Sequence, residues 1–333
     1  MIATYKDVAK LANVDASTVS RTLNNNSYDH EDTRRRVMEA VEQLSYKPNL
    51  LAQGLRKGKR QSIGVIIPSI SLSIFSDIVQ VIEREATKLG YRIIICISDD
   101  DPEIEKEYIE RLRNGLVDGI IIASTGKNNA ALRNIQNSGI AVIQLIRKQD
   151  KTLSSIVANY RSSAYEAVKY LVSRGCKKIG LINGSMKVLP YIERCEGYRQ
   201  AVQELGLEAY TIDFGSKKES YFEDGYEGAK KLLNDDPSID GIIVAADMHG
   251  IGAIRYLKEA GIKIPDQVKV MSLTGHSIGG MLETAMTSVE LPSQEIGELI
   301  TRNIVHDIES PKNIKKKPVH HELGVTLIER ETT

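Results

Sequence analysis

From Ser62 onward, short apolar segments alternate along the chain with amphipathic segments of helical length. The apolar segments, such as IGVIIP at 63–68 and DGIIIA at 118–123, have the length of strands. Apolar strands separated by helical crossovers predict parallel sheets with helices on both faces, so we expect an α/β fold for this region. The predicted strands are 63–68, 91–97, 118–123, 140–146, 179–183, 209–213, 241–245 and 268–273, and the intervening helices include 76–89 and 191–205.

A repeated segment within this region indicates two sheets rather than one. The segment VDGIIIA at 117–123 recurs as IDGIIVA at 239–245. A repeated unit of this kind predicts two similar α/β lobes, whose strand ends face each other across a cleft. Parallel sheets bind ligands at the carboxyl ends of their strands. We therefore expect a ligand-binding cleft between two lobes.

Several residues follow predicted strands, or the apolar segment SIVAN at 155–159, and are candidates to line that cleft. Phe75 could stack on a sugar ring or a base, and the arginines could donate hydrogen bonds to a ligand. Each has a plainer alternative: Phe75 as a core residue, and Arg147 and Arg161 as solvated surface residues. The candidates taken from strand ends are Ser71, Phe75, Arg147, Asn159 and Arg161.

The first 48 residues have a different pattern, which predicts three short helices at 4–12, 16–23 and 31–44. Thr4 can cap the first helix with Asp7 as its partner, and Val8 and Leu11 give it one apolar face. Asp15 can cap the second helix after a tight turn. Two short helices joined by such a turn predict a helix-turn-helix.

The second helix, within DASTVSRTLNNN at 15–26, has an outer face of small hydrogen-bonding side chains. A helix that enters the DNA major groove needs such a face, and Arg21 could grip a guanine with two hydrogen bonds. Residues 1–62 carry 11 Lys and Arg against 7 Asp and Glu, so this basic head also suits an anionic partner. The alternative is a generic solvated helix rich in Ser and Thr.

A resemblance to a known family favours the DNA-binding interpretation. The segments TYKDVAKLANVDASTVSRTLNNN and TRRRVMEAVEQLSYKPNLLAQGLRKGKRQSIGVIIP strongly resemble the lactose/galactose repressor (LacI/GalR) family. The resemblance implies a helix-turn-helix domain at 1–48, a hinge at 49–61 that orders on the operator, and an effector-binding and dimerisation core at 62–333. It implies that lobe one spans about 62–158 and 291–318, and lobe two about 159–290 and 319–330.

The resemblance also assigns roles to individual residues of the head and hinge. Leu55, in the hinge, would be wedged into the minor groove, where an apolar side chain unstacks a base step and bends the duplex. The residues implied to read bases are Ala16, Ser17 and Arg21, and those implied to hold phosphates are Thr18, Ser20, Asn24 and Thr33.

In the core, the resemblance makes Arg194 the residue that grips the effector and Asp247 an acid at the mouth of the cleft. The segment SLTGHS departs from the family pattern, because Thr274 stands where relatives carry a ligand-binding acid, with His276 nearby. Arg194 would then lack its customary carboxylate partner. We therefore expect a phosphorylated or acidic sugar to bind at least as well as its neutral parent.

Two other functions compete with a ligand-controlled repressor. The sequence GHSIG at 275–279 follows an apolar strand, as does the nucleophile elbow of a serine hydrolase. Only three histidines follow it, His306, His320 and His321, and the upstream oxyanion segment HGG is absent, which disfavours catalysis. A sugar-binding protein without a DNA role is disfavoured by the head and by the absence of a signal-peptide pattern.

Composition agrees with a regulator inside the cell. The three cysteines are widely spaced and predict reduced thiols, and no apolar run has the length of a membrane span. No cofactor motif or spaced set of metal ligands appears, so we expect no cofactor. The sequence thus predicts a cytoplasmic homodimeric repressor of a carbohydrate-use operon. It would bind a pseudo-palindromic DNA operator and respond to a small sugar or sugar phosphate.

Overall fold

The structure is a computed structural model that describes residues 3–23, 30–46, 60–215, 220–275, 277–311 and 317–333, without the side chain of Ser277. The chain divides into two compact units, Met1–Arg60 and Gln61–Thr333, which we call the head and the core. Most of the predicted hinge lies outside the described residues, as do Asn24, Leu55 and His276.

The head contains the three predicted helices, α1 (Tyr5–Ala12), α2 (Ala16–Leu23) and α3 (Glu31–Gln43). Thr4 and Asp7 form the predicted capping box, in which the carboxylate of Asp7 accepts the Thr4 backbone N–H at 2.8 Å. The helices share a small apolar core, which explains how so short a segment folds compactly. The buried members of this core are Val8, Ala9, Ala12, Val19, Val37, Ala40 and Tyr46.

The buried side of α1 differs from the sequence prediction. Leu11 does not face inward but is 48% exposed, because the buried stripe of α1 runs through Val8 and Ala12, one helical turn apart. At the start of α3, His30 occupies the N-cap position, but its side chain makes no capping hydrogen bond.

The core contains two six-stranded sheets, each flanked by helices. The elements of the first half are β1 (Ser62–Ile67), α4 (Ser73–Lys88), β2 (Arg92–Ile97), α5 (Pro102–Arg113), β3 (Gly119–Ile122), α6 (Asn129–Asn137), β4 (Ala141–Leu145), β5 (Ser154–Ala158), α7 (Tyr160–Ser173) and β6 (Ile179–Asn183). Those of the second half are α8 (Leu189–Glu204), β7 (Tyr210–Asp213), α9 (Tyr221–Asp235), β8 (Gly241–Val244), α10 (Asp247–Glu259), β9 (Lys269–Ser272), α11 (Ser277–Gly280), β10 (Thr287–Glu290), α12 (Ser293–Glu309), β11 (His320–Leu323) and β12 (Thr326–Ile328).

The strand order confirms the prediction of parallel sheets. The first sheet runs β11-β5-β4-β3-β1-β2 and the second runs β12-β10-β9-β8-β6-β7. All described pairings are parallel except that of β12 with β10. The strand β10 was not predicted, because its sequence TSVE is short and half polar. The two sheets are the centres of two lobes, as the repeated segment predicts.

The chain passes between the lobes three times, after β5, after β10 and after β11. The predicted boundary at residue 318 is wrong, because β11 belongs to the first sheet and not to the second lobe. It pairs in parallel with β5, with His320 opposite Ser155 and Leu323 opposite Ala158. This pairing satisfies the backbone groups of β5, which would otherwise form an exposed sheet edge. The last crossing therefore lies between Leu323 and Thr326.

Apolar side chains of the flanking helices pack against both faces of each sheet. In the first lobe, α4 and α12 pack against each other and against the sheet around Ile63, Ile78 and Ile300. In the second lobe, α7 and α8 pack together around Tyr198 on one face, and α9 and α10 cover the other. Within the described residues, no helix is both long enough and apolar enough to cross a membrane.

Helices α9 and α10 approach each other closely enough for their backbones to touch. A Cβ atom on Gly225 would lie 1.9 Å from the carbonyl oxygen of His249, and one on Gly252 would lie 1.9 Å from that of Phe222. Neither contact leaves room for a methyl group. Glycine at these positions therefore fixes the spacing of the two helices and, with it, the position of His249.

We expect Gly225→Ala to destabilise the core by about 1–2 kcal/mol, because the added methyl group must push α10 away from α9. Urea unfolding measures the change as a lower midpoint. Gly215→Ala is the matched control, since a Cβ there meets nothing within 4 Å. Equal midpoints for the two variants would show that the helices separate without cost.

Candidate DNA-binding surface and interlobe site

Helix α2 divides into a buried side and an exposed side. Val19 is fully buried against α1 and α3, and the hydroxyl of Thr22 donates to the carbonyl of Thr18 at 3.0 Å. The predicted DNA-contacting residues lie on the other side. Ala16, Ser17 and Arg21 are exposed, whereas Thr18 and Ser20 are half-buried.

The longest side chain on this surface is already oriented by its own helix. The Nη2 atom of Arg21 donates to the hydroxyl of Thr18 at 3.2 Å. Thr33 lies half-buried in the first turn of α3. The surface therefore combines one extended cation with short hydroxyl side chains, which suits close approach to phosphates and base edges. The base and phosphate roles of these residues remain predictions.

In the first lobe, buried Arg147 and half-buried Asp100 form an ion pair at the carboxyl ends of β4 and β2. Both terminal nitrogens of Arg147 donate to the Asp100 carboxylate, and the Nη2–Oδ2 distance is 3.0 Å. Burial opposes the charge of Arg147, but the hydrogen bonds and charge of Asp100 outweigh it and raise the pKa of the guanidinium. Asp100 has a left-handed backbone with φ of 55°, which aspartate tolerates better than most residues.

In the second lobe, Arg194 of α8 is buried between two aromatic rings. Its guanidinium carbon lies 4.8 Å from the ring centre of Tyr160 and 5.7 Å from that of Tyr191. Its Nη2 donates to the carbonyl of Leu273 at 3.4 Å, a long hydrogen bond, and its Nε makes none. Burial lowers the pKa of Arg194, and the nearby tyrosines, Glu193 and Asp247 offset this only in part.

The first turn of α10 adds Asp247 and His249 to this region. The backbone N–H of Asp247 donates to the hydroxyl of Thr274 at 3.2 Å, so Thr274 holds the start of the helix. The ring of His249 is fully buried and lies 5.4 Å, centre to centre, from the ring of Tyr221. Burial, reinforced by the charge of Arg194, lowers the pKa of His249 to about 4, so the imidazole is neutral at physiological pH.

These side chains form one group, which we call the interlobe cluster: Asp100, Arg147, Tyr160, Tyr191, Arg194, Tyr221, Asp247 and His249. Ala246 and Tyr221 of the second lobe pack against the apolar core of the first lobe, so the two lobes are in contact here. Several buried polar atoms of the cluster make no hydrogen bond of normal geometry: Nε of Arg147, the hydroxyl of Tyr160, Nε of Arg194 and the ring nitrogens of His249.

Thr274 borders this cluster through its hydrogen bond with Asp247, whereas four other predicted effector residues lie away from it. Ser71 is exposed before α4, and Phe75 is buried in the apolar core of the first lobe. Asn159 caps α7 through its bond to the Ser162 N–H and also donates to Glu322 at 2.7 Å. Arg161 is exposed and forms a long ion pair with Glu196 at 3.8 Å. The plainer alternatives for Phe75 and Arg161 therefore fit their surroundings.

Sequence reasoning missed four aromatic members of the cluster, Tyr160, Tyr191, Tyr221 and His249. Two of them carried a usable signal. Tyr160 lies two residues after β5, where the chain leaves the first sheet, and His249 is two residues beyond the predicted Asp247. Tyr191 and Tyr221 begin helices that follow loops, and only the folded arrangement brings them to the cluster.

The hydrolase pattern does not assemble a catalytic set within the described residues. Gly275 follows β9 of the second sheet, whereas His320 and His321 belong to β11 of the first. The Nδ1 atom of His320 is hydrogen-bonded to the hydroxyl of Ser155 at 2.9 Å. His276 and the side chain of Ser277 lie outside the described residues, so the nucleophile itself is not placed.

A helix-turn-helix head followed by two parallel-sheet lobes with polar groups buried between them defines a ligand-responsive transcriptional regulator. Residues 4–49 match the family of bacterial regulatory proteins of the lacI type, and residues 60–324 match the periplasmic binding proteins and sugar binding domain of the LacI family. The chain belongs to the LacI family.

Two relatives align with the whole chain, and a solved structure aligns with most of it. The transcriptional regulator RegA of Clostridium saccharobutylicum is 30% identical over 343 residues, covering all of both chains. The ribose operon repressor of Halalkalibacterium halodurans is 29% identical and covers 100% of this chain and 97% of its own. A LacI-type regulator from Alkaliphilus metalliredigens, solved with D-xylulofuranose, is 27% identical with a TM-score of 0.73, covering 82% and 98% of the two chains. The first two are named as a regulator and a repressor, and the third as a periplasmic binding protein/LacI transcriptional regulator.

Proposed function

We propose that this regulator represses a carbohydrate-use operon and that a sugar or sugar phosphate bound between the lobes controls its affinity for DNA. The observation that carries the proposal is the set of buried polar atoms without hydrogen bonds in the interlobe cluster. Buried donors and acceptors are nearly always paired, so their grouping at one place points to a missing ligand. One relative is named ribose operon repressor, and another was solved with D-xylulofuranose. Both support a carbohydrate as the ligand.

The ligand acts by binding two conformations of the core unequally. Arg147 and Asp100 come from the first lobe and Arg194 and His249 from the second, so one ligand between them holds the lobes in one relation. A ligand with different affinity for two lobe arrangements shifts their populations and, by linkage, the affinity for DNA. We propose that the segment 47–59, which joins the head to the core, couples the lobe arrangement to DNA affinity.

We propose further that the regulator is a homodimer on a pseudo-palindromic operator, because two-fold protein symmetry matches two DNA half-sites. Strand β2 is an outer strand of the first sheet, and its residues Ile95 and Ile97 are 43% and 36% exposed. An apolar, unpaired edge suits contact with a second copy. We assign no catalytic role to the chain.

We expect the protein to bind DNA from the promoter of its own operon, and a cognate sugar to change that affinity by at least about fivefold. Gel-shift titrations at several salt concentrations test the first part. Operator affinity should exceed that for scrambled DNA at every salt, and both should fall as salt rises because phosphate contacts release counterions. A thermal-shift screen of sugars and sugar phosphates identifies the ligand for the second part. Equal affinity for operator and scrambled DNA would contradict the proposal.

A further inference from the structure

Arg194 is a buried cation whose charge is only partly balanced. Asp247 and Glu193 raise its pKa but do not overcome its burial, and within the described residues no carboxylate forms an ion pair with it. Its hydrogen bond to the Leu273 carbonyl is long, at 3.4 Å. Arg147, the other arginine of the interlobe cluster, has the Asp100 carboxylate on both terminal nitrogens. The two guanidinium groups are thus equally buried but unequally compensated.

The surroundings of Arg194 stabilise its charge only weakly. The attraction of a tyrosine face for a cation is smaller than the cost of removing a charge from water. The chain places no acid after β9, where Leu273, Thr274 and Gly275 follow the strand. Thr274 uses its hydroxyl to accept the Asp247 N–H, so it offers Arg194 no charge. An anion from outside the chain would balance the remaining charge of Arg194.

The neighbours of Arg194 can complete a site for that anion. The Tyr160 hydroxyl makes no hydrogen bond and is fully buried, and its ring already packs on the guanidinium. The neutral His249 ring can donate one N–H. Nε of Arg194 and the Tyr160 hydroxyl are thus two donors for oxygen atoms that carry negative charge, and the His249 ring, which lies near the Ala246 carbonyl, is a third candidate.

We propose that the effector bound between the lobes carries an anionic group, a carboxylate or a phosphate, which Arg194 receives with Tyr160 and His249 as neutral donors. This inference rests on the proposed function and specifies its ligand: a sugar acid or a sugar phosphate rather than the neutral sugar. The charge of Arg147 is already balanced by Asp100, so its free Nε would contact the remaining, uncharged part of the ligand.

Calorimetry with matched ligands tests the inference. The probes are glucose, glucuronate and glucose 6-phosphate, together with ribose and ribose 5-phosphate. In the full-length protein, at least one anionic probe should bind about tenfold or more tightly than its neutral parent. Glucuronate and glucose 6-phosphate differ in their anion, so their ranking separates a carboxylate site from a phosphate site. Neutral parents that bind as well as or better than their anionic partners would overturn the inference.

Variants then assign the preference to Arg194. Arg194→Gln keeps hydrogen-bond donors but removes the charge, so the preference for the anionic probe should fall below about threefold. Arg161→Gln is the control, because Arg161 is exposed and lies outside the interlobe cluster. A preference that survives Arg194→Gln would overturn the inference. If that variant does not fold, inorganic phosphate at constant ionic strength must raise the melting temperature of the unchanged protein; no rise would count against the site.

These outcomes are separable from failure of the proposed function. Tight binding of a neutral sugar that changes operator affinity would retain the sugar-controlled repressor and reject the anionic effector. Binding of none of the five probes, with no effect of a wider sugar panel on operator affinity, would reject both.

Discussion

Asp100→Asn is expected to lower the free energy of unfolding of the core by about 3 kcal/mol, because removing one member of a buried ion pair leaves the other charge uncompensated. The side chain of Arg147 is only 4% exposed, and both of its terminal nitrogens depend on this carboxylate. Asparagine keeps the size of the side chain and tolerates the left-handed backbone at this position. The change therefore tests the charge and not the turn.

Urea unfolding with matched variants isolates this effect. Glu196→Gln is the control, since the Arg161–Glu196 pair is more than half exposed on both sides and should contribute less than about 1 kcal/mol. Adding Arg147→Met to Asp100→Asn removes the stranded cation and should restore most of the loss. A double variant as unstable as Asp100→Asn alone would show that Asp100 acts through the loop rather than through Arg147.

The elements of this fold were predictable where one pattern dominated a segment. The eight predicted strands match observed strands to within one or two residues at each end, because runs such as IGVII are apolar on both sheet faces. The edge strand β11 carried no such signal. Its sequence HHEL is half polar, and its place in the first sheet depends on the backbone of β5, which sequence periodicity does not register.

The interlobe cluster was predictable only in part, for a related physical reason. Arg147, Arg194, Asp247 and Thr274 lie at strand ends or at positions that the family resemblance marks, and the structure buries all four. Phe75 has the same kind of position but packs into the apolar core. A side chain between a strand and the next helix can point to the cleft or to the core. Its direction depends on how that helix packs, which the sequence pattern does not show.

The family resemblance predicts that Arg194 lacks a carboxylate partner, because Thr274 stands where relatives carry an acid. The structure adds that Asp247 and Glu193 are close enough to raise the pKa of Arg194 but do not overcome its burial. It also adds that Arg147 is fully compensated by Asp100, a residue that the sequence did not single out. The two arginines therefore have different roles. Arg147 is paired with Asp100, whereas Arg194 has no ion-pair partner among the described residues and is available to a ligand.

Arg21→Ala is expected to weaken operator binding by roughly 1–3 kcal/mol, or about 5- to 150-fold, and to relax the preference at one base pair of each half-site. Arg21 is the one arginine on α2, it is exposed, and its bond to Thr18 directs it along the outer face of the helix. Fluorescence anisotropy with operators substituted singly at every position measures both effects. Arg35→Ala removes the same charge from an exposed residue of α3 that is paired with Asp32 at 2.6 Å. That control should change affinity for all sequences alike, through phosphate electrostatics alone. A profile of base preferences that is identical in Arg21→Ala and the unchanged protein would show that Arg21 contacts the backbone of the DNA and reads no base.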